Sequence, residues 1–158
     1  MTFLFVDGHA ADARTTTIQN LKSVSDTILL DLDGKKRSLI EWQDKVILIN
    51  FWATWCTPCK KEIPLLNKYQ KEYKDDELQV IGIAIDNAIA TKQFIKKIPI
   101  DYPVLVGSKT GTKLAQQMGN RSGALPYTVI INQRGQLVET ASGLLNESYL
   151  RRIAEKYL

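Results

Sequence analysis

The chain has little of what several common chemistries require. It carries one histidine, His9, and two cysteines, Cys56 and Cys59, in 158 residues. A single imidazole removes most metal sites and any Cys–His nucleophilic mechanism, since each needs a well-placed ring. Two cysteines cannot form a disulfide framework. None is needed at this length, because the chain fits one domain able to bury its own core. No apolar stretch approaches the roughly 20 residues that cross a bilayer. Met1 to Val6 starts apolar, but Asp7 ends the run short of the ~7–15 residues of a signal-peptide core. No export signal is therefore expected, which fits either a cytosolic protein or one whose signal or anchor has been removed. Charge of one sign is also scarce: the net charge is +4, the lysines are scattered, and no basic stripe interleaves with aromatics, so nucleic-acid binding is not expected. The apolar fraction of 44% and charged fraction of 24% are those of an ordinary soluble globular protein.

What is present is concentrated at one place. Both cysteines lie in Trp55-Cys56-Thr57-Pro58-Cys59, directly after the apolar run Val46 to Trp52 and directly before a run of helix-forming residues. A strand that ends in Cys-x-x-Cys and turns into a helix suits thiol–disulfide exchange. The attacking sulfur must be a thiolate, and the partial positive charge of a helix N-terminus favours that negative charge. The two-residue spacer brings a second sulfur close enough to resolve a mixed disulfide from within.

The rest of the chain reads as alternating elements. Residues 1 to about 25 show no sustained period and are expected to form a flexible arm, with partial packing as the alternative, leaving 26–158 as the folded domain. Thr27–Leu32 and Lys36–Ile40 flank Asp33-Gly34, a hairpin signal. Val46–Trp52 is apolar except for Asn50, as expected of a strand covered on both faces. Ile63, Leu66, Tyr69 and Tyr73 recur at helical spacing after Cys59, with Pro64 expected to bend the axis. A strand over Leu78–Ile85, a helix over Ala90–Lys97, a short strand over Tyr102–Val106 and a short helix over Thr110–Met118 follow. Tyr127–Ile131 and Gln136–Ala141 flank Asn132-Gln133-Arg134-Gly135, a second hairpin. Asn146 is the expected N-cap of a last helix that buries Leu150, Ile153, Ala154 and Tyr157. This order predicts an α/β three-layer sandwich with no repeat and no second domain.

Phe51-Trp52-Ala53-Thr54-Trp55-Cys56-Thr57-Pro58-Cys59 resembles the active site of the thioredoxin superfamily. The extension Lys60-Lys61-Glu62-Ile63-Pro64-Leu65 narrows the resemblance to the TlpA/ResA-like group of bacterial extracytoplasmic thiol–disulfide oxidoreductases, through the pattern W-C-x-P-C-x-x-E-x-P. Gly123-Ala124-Leu125-Pro126-Tyr127-Thr128 and the Asn132–Gly135 hairpin agree with it, so the resemblance covers about residues 27–158. It implies a thioredoxin-like α/β/α sandwich with a mixed central sheet, an N-terminal β-hairpin and an inserted strand-and-helix segment near residues 86–118. It also implies a cis Leu125-Pro126 peptide facing the sulfurs, the alternative being an ordinary trans proline at a strand start.

Under this resemblance Cys56 is the expected nucleophile and Cys59 the resolving thiol, with structural buried thiols as the alternative. Trp55, Thr57, Pro58, Leu125 and Pro126 are expected to meet substrate, Trp55 by shielding the sulfurs, whereas Trp52 is expected to pack in the core. Pro58 withholds a backbone donor and so affects redox poise. Two positions depart from better-known relatives. Thioredoxin proper has a buried Asp where this chain has Asn50, and some members of the group have Glu where this chain has Thr57. Glu62 is the candidate proton acceptor, with a solvated Glu paired to a lysine as the competing reading.

The implied function is reduction of disulfides in exported proteins, for example in cytochrome c maturation. The implied setting is periplasmic or otherwise extracytoplasmic, with a membrane anchor in a longer precursor as one form of it. Partners are then disulfide-bearing or dithiol proteins and an upstream electron-donating thiol protein. No cofactor beyond the Cys56–Cys59 disulfide, no metal and no nucleic acid are expected, and the chain is expected to be a monomer. Three alternatives stay open: a peroxiredoxin-like peroxidase, a Cu(I)- or Zn-binding protein using the Cys pair, and a module of this fold that only docks a partner.

Overall fold

The computed structural model describes residues 20–158. Among the described residues there are seven strands: β1 (Leu29–Asp31), β2 (Lys36–Arg37), β3 (Val46–Trp52), β4 (Leu78–Ala84), β5 (Val104–Val106), β6 (Tyr127–Ile131) and β7 (Leu137–Ser142). The α-helices are α1 (Thr57–Tyr73), α2 (Ala88–Lys97), α3 (Ser108–Gln117) and α4 (Glu147–Tyr157). The strands form one mixed sheet in the order β2-β1-β5-β4-β3-β6-β7. β3 lies parallel to β4 and antiparallel to β6, and every one of its residues is buried.

The continuous apolar run of β3 is explained by helices on both sides, because alternate residues of a strand face opposite layers. Ile47, Ile49 and Phe51 pack with Leu114 and Ala115 of α3 and with Leu21, Val24 and Leu39 from short 3₁₀ turns. On the other face, Val46 and Leu48 pack with Leu66 and Tyr69 of α1 and Leu150 and Ile153 of α4. Trp52 continues that face against Phe94 of α2, with ring centroids 5.0 Å apart. The three-layer α/β sandwich is as expected.

Several boundaries differ from the sequence expectation. Most of the expected N-terminal arm lies outside the described residues, but its last part is packed. Leu21 and Val24 are buried, and Leu21 N donates to Gly135 O at 2.7 Å. The folded unit therefore begins before residue 26, because two apolar side chains at 3₁₀ spacing close one edge of the core. The first hairpin is shorter than expected. Ser38 N donates to Glu41 Oε1 at 2.9 Å, and the chain turns into a 3₁₀ segment at Leu39–Trp42. Gly34 and Gly135 take the positive φ values, +80° and +76°, that their hairpin turns demand. Asn146 caps α4 by accepting from Tyr149 N at 2.8 Å. Helix α1 runs unbroken past Pro64.

Candidate active site

The C-terminal end of β3 delivers the chain to the site. Cys56 N donates to Ala53 O at 3.2 Å, which folds the loop back so that α1 starts at Thr57 with Cys56 as its N-cap. Cys56 Sγ accepts from Cys59 N at 3.4 Å, so the sulfur occupies the position where an N-cap oxygen would normally satisfy a free helix N–H. Pro58 stands in the first turn, where a missing N–H removes no helical hydrogen bond. Cys56 and Cys59 are joined by a disulfide with Cα atoms 5.3 Å apart. Cys59 is fully buried and Cys56 is 5% exposed, which makes Cys56 the sulfur nearer to solvent.

The loop is anchored from the neighbouring strand. Asp86, just past β4, accepts from Thr54 Oγ1 at 2.6 Å and from Thr54 N at 3.3 Å. Trp55, the next residue, is 69% exposed. Its indole is largely in solvent, next to Cys56 in the chain. Thr57 and Pro58 are also exposed. Leu125-Pro126 is a cis peptide, Pro126 is buried, and Leu125 packs against the cluster that contains Cys56 and Cys59. The structure thus brings the Cys motif and the Leu125-Pro126 turn to one end of the sheet. Trp52 is in the core, as expected.

Glu62 corrects one reading. It is not solvated or paired to a lysine but 1% exposed, one turn beyond Cys59 on the same side of α1. Its Oε1 accepts from Asn50 Nδ2 at 2.5 Å and its Oε2 from Leu145 N at 2.8 Å. Burial raises its pKa above the ordinary 4.5, opposed first by the Leu145 N–H and then by the Asn50 amide. Asn50 Nδ2 also donates to Thr128 Oγ1 at 3.3 Å. The carboxylate that thioredoxin proper would carry on the strand is therefore replaced by a strand amide that holds a helix carboxylate. Sequence reasoning found Asn50 and Glu62 separately but not as a pair. The signal was two polar residues at apolar-periodic positions flanking the same cysteines.

Tyr102 is a second residue that sequence reasoning missed. It lies before β5, 6% exposed, and its hydroxyl has no partner among the described residues. Burial, and then the charge of Glu62, push its pKa up. As for metals, no three His, Cys, Asp or Glu side chains converge among the described residues, and His9 lies outside them. No helix among those residues is long and apolar enough to cross a membrane.

Comparison with known proteins agrees with this geometry. Residues 21–140 match the AhpC/TSA family. A thiol–disulfide oxidoreductase ResA of Bacillus cereus is 34% identical over 157 residues, covering 96% of this chain and 87% of that protein. Among solved structures, a thioredoxin-family thiol:disulfide interchange protein from Chlorobium tepidum TLS is 26% identical, with a TM-score of 0.71 over 93% of this chain and 99% of that one. A thioredoxin-related protein from Neisseria meningitidis serogroup B is 32% identical, with a TM-score of 0.72 over 80% of this chain and 96% of that one. With a Cys-capped helix, a neighbouring cis-proline turn and relatives of this kind, the chain belongs to the AhpC/TSA family of thioredoxin-fold proteins and, within it, to the ResA-like thiol–disulfide oxidoreductases.

Proposed function

We propose that the reduced protein delivers two electrons from Cys56 and Cys59 to disulfides of exported proteins, outside the cytoplasm, as in keeping apocytochrome thiols ready for haem attachment. The observation that carries the reading is the placement of Cys56 Sγ at the N-cap of α1, with the fully buried Cys59 one turn inside. Cys56 thiolate attacks one sulfur of the substrate disulfide. A Cys56–substrate disulfide forms and one substrate thiolate leaves. Cys59 then loses its proton to Glu62 and attacks Cys56 Sγ. The Cys56–Cys59 bond forms, the second substrate thiolate leaves, and the substrate has gained both electrons. Trp55, Thr57 and Pro58 border the approach, and Leu125 and Pro126 face it from the opposite loop. No cofactor beyond the disulfide is needed, and an upstream thiol protein restores the reduced pair.

The direction is carried over from the resemblance to the TlpA/ResA-like group. A strongly oxidising pair needs a strongly stabilised reduced form, and Pro58 has no N–H to offer the Cys56 sulfur.

Trapping tests the scheme. The Cys59→Ser variant should accumulate a mixed disulfide on Cys56 with its client, identifiable by mass spectrometry, and the Cys56→Ser variant should not. Equal capture by both variants contradicts the assignment of Cys56 as nucleophile.

A further inference from the structure

A polar seam runs under α1 between two apolar clusters. Asn50 of β3 and Gly82 of β4 are register partners. On one side of them lie Leu48, Leu66 and Val80, and on the other Trp52, Cys59 and Ala84. Gly82 has no side chain, and the position its Cβ would take is 3.1 Å from Trp52 Nε1 and 3.1 Å from Tyr102 Cε2. Side chains from two separate elements therefore meet over one glycine.

Three polar atoms in this seam lack a partner among the described residues: Trp52 Nε1, the Tyr102 hydroxyl and Asn50 Oδ1. Their residues are all more than nine-tenths buried, at 1%, 6% and 1% exposure. Buried polar atoms are nearly always paired with protein or with ordered water. The three atoms comprise a donor, an acceptor, and a hydroxyl that is either. One buried water, which normally takes two to four partners, complements that set. Asn50, whose Oδ1 is one of the three atoms, donates through its Nδ2 to Glu62 Oε1, which puts the seam beside that carboxylate.

We propose that Trp52, Tyr102 and Asn50 hold a buried water beside Glu62, and that Tyr102 is a positioning residue for proton transfer to that carboxylate. The inference rests on Glu62 being the proton acceptor for Cys59. The titratable groups facing Glu62 are Cys59, one turn earlier on α1, and Tyr102 from the loop before β5, with Asp101 beside Tyr102. While Glu62 is charged, the water, held by the Tyr102 hydroxyl and the Trp52 N–H, donates to it. Once Glu62 has taken the Cys59 proton, that charge-assisted bond is lost. The site thereby lowers the proton affinity that burial raises, and keeps Glu62 able to release the proton after each turnover.

The test compares the wild type with Tyr102→Phe, which removes the hydroxyl and keeps the ring. In the oxidised protein, a carbon-13 NMR titration of the Glu62 carboxyl should move up by about half a pH unit or more in the variant, since a hydrogen bond to the charged form is lost. The Trp52 indole N–H of the wild type should show a cross-peak to a long-lived water. A purely packing role would change the melting temperature and leave both signals in place. An unmoved carboxyl titration, or a Trp52 N–H with no water contact, overturns the proposal. The rate of exchange between the reduced protein and oxidised glutathione separates this from the reading beneath it. Rates unchanged in Glu62→Gln overturn the proton-acceptor role itself. Rates lowered there, with an unmoved carboxyl in Tyr102→Phe, overturn the water site alone.

Discussion

Glu62 occupies a helix position that the apolar period assigns to the core, and its environment makes it sensitive to pH in a definite direction. Its folded pKa lies above the ordinary 4.5. Well below that value the carboxyl is protonated in both folded and unfolded chains. As pH rises, the unfolded chain ionises first, so the protein loses stability until the folded pKa is passed. In the oxidised protein, where the cysteines do not titrate, denaturant unfolding should show this decline above about pH 4.5, and Glu62→Gln should flatten it. A decline of equal size in the variant would assign it to another group. Asn50 acts on the same carboxylate from the strand. Asn50→Ala leaves one Glu62 oxygen buried without its donor, which should destabilise the protein by about 1–3 kcal/mol and raise the Glu62 pKa further, both readable by the same methods.

Two elements are held by carboxylates with different consequences. Helix α4 is tied to β7 through Glu139, which accepts from Arg152 at 3.0 and 2.8 Å, from the Tyr157 hydroxyl at 3.0 Å and from Lys156 at 3.3 Å. The Arg152 hydrogen bonds above all hold its pKa at about 2, against an ordinary 4.5. Its contribution is present above pH 4.5 and is lost as pH falls through about 2. The melting temperature of Glu139→Gln should therefore lie below that of the wild type at neutral pH, and the gap should close toward about pH 2. The β3–α1 loop depends instead on Asp86, which fixes Thr54 from just past β4. Asp86→Ala should cost about 1 kcal/mol and speed amide exchange at Thr54 and Trp55, while leaving exchange within β3 unchanged. Unchanged protection at Thr54 would show that the loop is held by other contacts.

At the scale of the molecule, the parts legible in the sequence were those with a local cause. The run Val46–Trp52 matched β3 at both ends because two covered faces require uninterrupted apolar residues. Cys56 and Cys59 were legible because a two-residue spacer at a strand–helix junction has few other uses. Asn146 was legible because an N-cap needs only its own helix. Features with a distant cause were not. Nothing local marks Leu21 and Val24 as core, since what buries them is the turn of the β6–β7 hairpin and the far face of the sheet. The Glu62 environment is assembled from Asn50, a polar residue at an apolar-periodic position nearby, and from Leu145 on a loop 83 positions away, which no spacing announces. Tyr102 resembled an ordinary strand-leading aromatic until Gly82 opened the space beside it. Whether the assembled molecule donates electrons is decided by equilibrating Cys56 and Cys59 with a glutathione redox buffer. The expected reduction potential lies near that of thioredoxin, about −270 mV, whereas a value near the about −120 mV of a strong disulfide donor would make the protein an oxidant and contradict the proposed direction.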